Sequence, residues 1–207
     1  MMENFVFPGL TTRVVFGAGT MSRTGEEVRR LGHSKVLVLS TPHQKDDADK
    51  LAASLGDLAA GVFAGATMHT PVEVTETALE AYRASGATAV VSLGGGSTTG
   101  LGKAIAVRTG ADQVVIPTTY AGSEMTDILG ETANGEKTTR SSPDIRPETV
   151  IYDVDLTLSL PVGLTVTSAM NAIAHAMEAF YAPDRNPVIE LMCRDAMAAF
   201  REGIPRL

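Results

Sequence analysis

Short apolar runs rich in β-branched residues alternate with longer amphipathic stretches along the first 120 residues. The runs predict strands at residues 13–17, 35–40, 61–64, 87–93 and 113–117. The stretches between them predict helices at residues 20–31, 44–55, 72–85 and 98–108. Because strands that alternate with single helices pair in parallel, this order predicts an α/β fold with a doubly wound parallel sheet.

The pattern changes after about residue 155. Two long helices are predicted at residues 165–181 and 187–202, with no strand between them, and Pro161 and Pro183 lie just before these helices. We therefore expect an α/β domain over residues 1–155 and the start of an all-helical domain over residues 156–207. The second region is too short to close a core of its own, so we expect the sequence to represent part of a longer protein.

Composition and charge narrow the function classes. The formal net charge of −7 argues against nucleic acid as a partner, because binding to a phosphate backbone needs clustered Lys and Arg. No stretch approaches eighteen uninterrupted apolar residues, so no membrane span is predicted. The segment beginning at Met1 lacks the basic and apolar parts of a secretory leader, and the single Cys193 cannot form an internal disulfide. These features predict a cytoplasmic protein.

The strand predicted at residues 87–93 runs into three glycines and a hydroxyl, Gly94, Gly95, Gly96 and Ser97, before a helical pattern begins. A turn of this kind leaves backbone N–H groups unpaired at the positive end of a helix, where they can bind a phosphate group. Glycines also let a ligand approach the backbone closely. We favour a phosphate-binding role for this turn over a purely structural one, which predicts a dinucleotide-binding domain over residues 1–155.

Two other glycine patterns fit their motifs poorly. Residues 17–22 follow the first strand as a dinucleotide fingerprint would, but Ser22 replaces the third glycine, and the next strand ends in Ser40-Thr41-Pro42 without an acidic residue. A structural turn is the better interpretation there. Residues 97–103 resemble a P-loop that lacks its first glycine, and Ala104 stands in place of the magnesium-binding hydroxyl. Nucleoside triphosphate chemistry is therefore not expected.

Hydroxyl and imidazole groups supply further candidates. Thr118 and Thr119 follow the last predicted strand, at the edge where ligands of doubly wound sheets bind, although a capped turn alone would explain them. Asn171 and His175 lie four residues apart, on one face of a predicted helix. A carboxylate at position 171 would form a metal pair with His175, whereas the neutral amide of Asn171 is a weak ligand.

Taken in order, these motifs resemble the iron-containing alcohol dehydrogenase-like superfamily. The residues that carry the resemblance are 13–19, 94–97, 117–124, Asp153, 156–161 and 170–179. The resemblance implies a dehydroquinate synthase-like fold, in which an N-terminal nucleotide-binding α/β domain precedes an all-helical domain and the active site lies in the cleft between them.

The resemblance also implies a nicotinamide cofactor and the residues that hold it. Gly94, Gly95, Gly96 and Ser97 would hold the pyrophosphate. Thr118 and Thr119 would line the adenosine side, where Leu158 would pack, and Lys137 would reach the ribose near the nicotinamide. Ser40 and Thr41 would touch the adenine ribose. We expect NADH as the cofactor. Because no acidic residue stands at that position to exclude a 2′-phosphate, we expect NADPH to be accepted as well.

Asn171 departs from the metal-dependent members of the superfamily, which carry an aspartate there. The maleylacetate reductases resemble this sequence in having asparagine and in working without a metal. This branch implies reduction of maleylacetate, a small dicarboxylate, to 3-oxoadipate in the degradation of aromatic compounds, with His175 as the catalytic residue and a homodimeric assembly. Two alternatives stay open: a metal-dependent alcohol or polyol dehydrogenase of the same superfamily, and a nucleotide-binding module without catalysis.

Overall fold

The computed structural model describes residues 4–7, 9 and 11–207. The expected absence of a leader rests partly on Met1, Met2 and Glu3, and these three lie outside the described residues. The described chain forms two compact units: Thr12–Ser159 is the larger, and the smaller contains Leu160–Leu207 with the described residues before Thr12. The predicted domain division at residues 155 and 156 stays a prediction, because a compact contact unit is not by itself an independently folding domain.

A six-stranded sheet forms the centre of the larger unit. Its strands lie in the order β1-β8-β5-β4-β2-β3, and every neighbouring pair is parallel. The bounds of these strands are β1 Arg13–Phe16, β2 Val36–Leu39, β3 Ala59–Phe63, β4 Ala89–Gly94, β5 Asp112–Pro117 and β8 Thr149–Tyr152. The predicted parallel α/β fold is therefore confirmed, and five of the six strands overlap predicted ones.

Four helices cover the two faces of the sheet: α1 Thr24–Arg30, α2 Lys45–Leu55, α3 Val72–Ser85 and α4 Gly96–Thr109. Alternate residues of a strand point to opposite faces. Val36 and Val38 of β2 accordingly pack into one core cluster with α1 and α2, while Leu37 and Leu39 pack into another with α3 and α4. Because β2 and β4 are covered on both faces, every residue of both strands is buried.

This arrangement places a topological switch point between β2 and β4. These two strands are neighbours, yet the helix that follows β2 covers one face of the sheet and the helix that follows β4 covers the other. The carboxyl ends of strands at such a point diverge into a crevice, which is where doubly wound folds bind ligands. The segments after β2 and β4, which begin at Ser40 and Gly95, flank this crevice.

Three strands were not predicted from the sequence. β6 (Ile128–Ala133) and β7 (Glu136–Ser141) form an antiparallel hairpin outside the main sheet. Their turn contains Asn134 and Gly135, both with positive φ, and Asn-Gly between alternating residues is a strong hairpin signal. β8 is the third strand, and it joins the sheet between β1 and β5 after the hairpin rather than after a helix. The regular alternation of strands and helices therefore ends at β5.

The smaller unit contains the two predicted long helices. They are observed as α5 (Val162–Ala179) and α6 (Pro187–Gly203), which pack against each other. Asn186 caps α6, since its side-chain oxygen accepts hydrogen bonds from the amides of Val188 and Ile189. Among the described residues, no helix is both long enough and apolar enough to cross a membrane.

Asp153, directly after β8, fixes the glycine turn that follows β1. Its Oδ1 accepts a hydrogen bond from the Gly19 amide at 3.0 Å, and its Oδ2 accepts one from the Met21 amide at 2.8 Å. The carboxylate is buried. It occupies backbone amides that a dinucleotide fingerprint would offer to a phosphate. The structural interpretation of residues 17–22 is therefore confirmed.

Replacing Asp153 with alanine should destabilise the protein by about 2 kcal/mol, because the Gly19 and Met21 amides lose a charged acceptor. The free energy of unfolding in urea measures this loss. Asp155→Ala is the matched control, since that exposed side chain leaves both amides capped. Equal stability of Asp153→Ala and Asp155→Ala would contradict the assigned role of Asp153.

Candidate nucleotide-binding site

The glycine turn after β4 has the geometry of a phosphate cradle. Helix α4 begins at Gly96, two residues earlier than predicted, and Gly95 is its N-cap residue. The Thr98 and Thr99 amides both donate to the Gly95 carbonyl at 3.1 Å. Within the described part of the chain, the Gly96 and Ser97 amides make no hydrogen bond, so they can donate to an anion at the positive end of the helix.

Backbone conformation and neighbouring side chains restrict two of the three glycines. Gly94 has a φ of +151°, a region that residues with a side chain rarely adopt. A Cβ on Gly95 would lie 2.8 Å from the hydroxyl oxygen of Thr119, whereas a Cβ on Gly96 would lie 3.5 Å from the Cβ of Ala121. Gly95 is therefore sterically restricted by the protein, and Gly96 has room for a methyl group.

A polar link joins the segments after β2 and β5 across this turn. The amide nitrogen of Gln44 donates to the Thr118 hydroxyl at 3.0 Å, and the Thr41 hydroxyl donates to the Gln44 side-chain oxygen at 3.4 Å. The Thr118 amide in turn donates to the Gly94 carbonyl at 3.1 Å. Three segments predicted to bind the cofactor are thus held together, and Gln44 connects two of them.

Ser40 lies at the base of the same cluster. Its residue is completely buried, and its hydroxyl makes no hydrogen bond among the described residues. The Thr98 hydroxyl, in the first turn of α4, is likewise buried and unpartnered. Buried hydroxyls are usually hydrogen-bonded, and these two are exceptions, as is the Ser92 hydroxyl on β4.

A cavity of about 450 Å³ opens at the carboxyl ends of β1, β5 and β8. Its lining combines aromatic and apolar side chains with a few polar groups, as in most small-molecule sites. The lining residues are Phe16, Pro117, Thr119, Tyr120, Gly122, Glu124, Tyr152, Asp153, Val154, Thr157 and Leu158. Leu158 is 81% exposed at this cavity, so its side chain is available to pack against a bound group.

A buried carboxylate and a phenol lie together in the cavity wall. The Tyr152 hydroxyl donates to Oε1 of Glu124 at 2.9 Å, and Glu124 is only 4% exposed. Burial raises the pKa of Tyr152, and the Glu124 charge and this hydrogen bond raise it further. Tyr152 therefore remains a neutral donor that ties the segment after β5 to β8.

Lys103, in the P-loop-like stretch, does not serve as a phosphate ligand. It is completely buried on α4, and its ammonium donates to the carbonyls of Ser123, Thr126 and Ile128 at 2.6, 2.8 and 2.9 Å. Burial lowers the pKa of Lys103 to about 8, so the group keeps its charge at neutral pH. This geometry agrees with the sequence-based rejection of a P-loop.

Lys137 and Arg140 lie on β7 of the hairpin. Arg140 donates to Glu131 at 2.9 Å, and Arg108 contacts the other oxygen of the same carboxylate at 2.9 Å, so the charge of Arg140 is partly neutralised. Lys137 is exposed and makes no ion pair within the described chain. Its side chain lies over Gly130 of β6, where a Cβ would be 3.1 Å from the Lys137 Cε.

Asn171 and His175 lie on α5 in the smaller unit. Both are exposed, and the Nδ1 of His175 lies 3.4 Å from an oxygen of Glu178. Among the described residues, no group of three or more His, Cys, Asp or Glu side chains is placed to hold a metal ion. The neutral amide of Asn171 with one imidazole is a donor set that does not fit a divalent cation.

The structure thus brings together most of the predicted cofactor residues. Thr41, Thr118, Thr119 and the Gly94–Ser97 turn form one cluster, and Leu158 shares the cavity with Thr119. No contact links Lys137 to this cluster among the described residues. No sequence motif indicates Gln44 or Tyr152, because their importance arises from contacts between segments that lie far apart in the chain.

Comparison with known proteins identifies the family. Residues 11–154 match the sequence profile of iron-containing alcohol dehydrogenases. The maleylacetate reductase of Rhizobium sp. (strain MTP-10005) is 63% identical over 204 residues, which are 99% of this chain and 58% of that protein. The crystal structure of maleylacetate reductase from Agrobacterium tumefaciens has 62% identity and a TM-score of 0.97 over 99% of this chain and 58% of that one.

A more distant solved structure shares the same architecture. The NADH-dependent butanol dehydrogenase A of Thermotoga maritima has 26% identity and a TM-score of 0.86, and the match covers all of this chain and 58% of that one. The chain therefore spans a little under three fifths of the length of the relatives it matches. With its parallel sheet, its glycine turn and the profile match over most of its length, the chain belongs to the iron-containing alcohol dehydrogenase family.

Proposed function

We propose that the intact protein is a maleylacetate reductase, which reduces maleylacetate to 3-oxoadipate in the degradation of aromatic compounds. The observation that carries this proposal is the 63% identity to a maleylacetate reductase over 99% of the chain. The proposed cofactor is NADH, with NADPH also accepted, because the segment after β2 carries no acidic residue at Ser40, Thr41 or Pro42 that would repel a 2′-phosphate.

The residues around the crevice fit a dinucleotide. The unpaired amides of Gly96 and Ser97 suit the pyrophosphate, and the hydroxyls of Thr41 and Thr118 suit a ribose. The cavity beside Thr119 and Leu158 is large enough and apolar enough for an adenine ring. Lys137 is proposed to reach the ribose next to the nicotinamide.

The bound cofactor would supply a hydride to the alkene carbon β to the ketone of maleylacetate, and one proton completes the reduction to 3-oxoadipate. The residues of the chain must then hold the substrate and stabilise the enolate oxygen that develops. We assign proton donation or hydrogen bonding at this oxygen to His175. Because the donor set of Asn171 and His175 does not fit a divalent cation, we derive no step through a metal.

The two carboxylates of the substrate need local positive charge, since the chain as a whole is acidic. Lys137 and Arg140, both on β7, are the candidates for this role. The ion pair of Arg140 with Glu131 favours Lys137, whose ammonium has no partner among the described residues. We also propose that the protein is a cytoplasmic homodimer, as the resemblance and the cysteine content imply.

The first experiment measures NADH oxidation by the intact protein with maleylacetate after exhaustive chelation. We expect rapid oxidation that added iron or zinc does not increase. Turnover that requires a restored metal, with an alcohol or aldehyde as the preferred substrate, would move the protein to the metal-dependent branch of the family. Cofactor binding without substrate-dependent oxidation would indicate a nucleotide-binding module that lacks catalysis.

Gly96→Ala should weaken NADH binding by about tenfold or more without destabilising the fold, because a methyl group fits the protein there but stands where the pyrophosphate would lie. Fluorescence titration with NADH measures the affinity, and thermal denaturation measures the stability. Gly163→Ala, at another helical glycine with open space, is the control. Unchanged affinity in Gly96→Ala would remove the turn from the cofactor site.

His175→Ala should lower kcat by about 100-fold with little change in the Kd for NADH, since it removes a proton donor and leaves the nucleotide crevice intact. Steady-state kinetics and the NADH titration separate these two effects. Glu178→Gln removes the neighbouring charge but keeps the imidazole, and it should retain most of the activity. A His175→Ala enzyme with wild-type kcat would exclude His175 from the mechanism.

A further inference from the structure

Among the described residues, Lys103 is the one buried lysine or arginine, and it makes no ion pair there. Its side chain is among the largest that are fully buried. All the hydrogen bonds of its ammonium go to one short segment: to the carbonyls of Ser123, Thr126 and Ile128, and to the hydroxyls of the first two. A buried ammonium is costly unless its three N–H groups are satisfied, and here three carbonyls satisfy them.

The segment that Lys103 holds has little regular structure of its own. Residues 118–127, called here the cofactor loop, connect β5 to β6 and contain only a short 3-10 turn over Ser123–Met125. A loop of this kind would normally sample several conformations, and ordering it costs free energy. The Lys103 ammonium donates to the carbonyls of Thr126 and Ile128 and to that of Ser123, which also accepts from the Thr126 amide and hydroxyl.

The cofactor loop also carries much of the proposed nucleotide site. It begins with Thr118 and Thr119, and Tyr120, Gly122 and Glu124 line the cavity. Lys103 lies on α4, two turns after the glycines that form the phosphate cradle. One side chain therefore joins the cradle helix to the loop that faces the proposed adenosine side.

We propose that Lys103 is a positioning residue that holds the cofactor loop against α4, so that the nucleotide site is already formed before NADH binds. This proposal rests on the proposed function, in that it takes NADH as the ligand of the crevice. Lys103 itself does not touch the cofactor, because its ammonium is buried and already occupied by carbonyls. Its contribution is that NADH binding does not have to order the loop.

The test compares Lys103→Met, which keeps the length of the side chain but has no donor, with wild-type intact protein. We expect the Kd and KM for NADH to rise by about tenfold or more, while kcat at saturating NADH falls by less than about threefold. Hydrogen exchange should become faster in residues 118–127 than in β4. Lys50→Met, at an exposed lysine of α2, is the control and should match wild type.

A chemical rescue covers the case in which Lys103→Met does not fold. Lys103→Cys in a Cys193→Ser background, treated with 2-bromoethylamine while unfolded and then refolded, regains an ammonium at nearly the native position. We expect this treatment to restore the NADH affinity to that of Cys193→Ser. Failure of both untreated variants to fold, with no regain of NADH binding after aminoethylation, would overturn the proposal.

The outcomes separate this proposal from the proposed function. If wild-type protein does not bind NADH, the proposed function fails. If wild type binds NADH and folded Lys103→Met binds it equally well, the assignment of NADH as the cofactor is retained and the positioning role of Lys103 is wrong. A rescue that restores the melting temperature but leaves NADH affinity unchanged would likewise assign Lys103 to general stability and overturn the proposal.

Discussion

The close approach of other segments to the end of β4 is the constraint on which the rest of the site depends. Gln44 comes near Gly94 from the segment after β2, and Thr119 comes near Gly95 from the segment after β5. A side chain at either glycine would push these segments apart and separate the hydroxyls that they carry. Because these glycines have no side chain, the first amides of α4 are also accessible to an anion. Packing therefore requires glycine at Gly94 and Gly95, and the turn that they form leaves amides free that suit an anion.

Two buried charged side chains hold the loops on either side of the β4 turn. One is an anion that accepts hydrogen bonds from backbone amides, and the other is a cation that donates to backbone carbonyls. The Asp153 carboxylate accepts hydrogen bonds from amides of the turn after β1, and the Lys103 ammonium donates hydrogen bonds to carbonyls after β5. Each charge makes hydrogen bonds to backbone groups of an irregular segment. Within the described residues, the helix start at Gly96 receives no such charge. This difference explains why one glycine turn is closed to a phosphate and the other is open.

The sequence predicted the features that depend on local pattern. Apolar periodicity located β1 to β5 and the six helices, and the β4 glycines marked the crevice. It did not predict β8, because nothing in the four residues Thr149–Tyr152 shows that they pair with both β1 and β5. The link through Gln44 and the bond from Tyr152 to Glu124 join residues 74 and 28 positions apart, respectively, so no motif could reveal them. The β6–β7 hairpin, by contrast, could have been predicted, since Asn134-Gly135 is a local sequence signal for a hairpin turn.

The features that suit a dinucleotide and the residues proposed for the chemistry lie on different stretches of the chain. The glycine turn, the polar link and the cavity all lie within Thr12–Ser159, whereas Asn171 and His175 lie on α5. A butanol dehydrogenase at 26% identity retains this architecture with a TM-score of 0.86, although its name gives it a different substrate. Retention of the α/β fold is therefore compatible with a change of substrate. The amide of Asn171, one helical turn before His175 on α5, is a weak ligand for a divalent cation, and a difference of this kind can alter the chemistry while the nucleotide crevice stays the same.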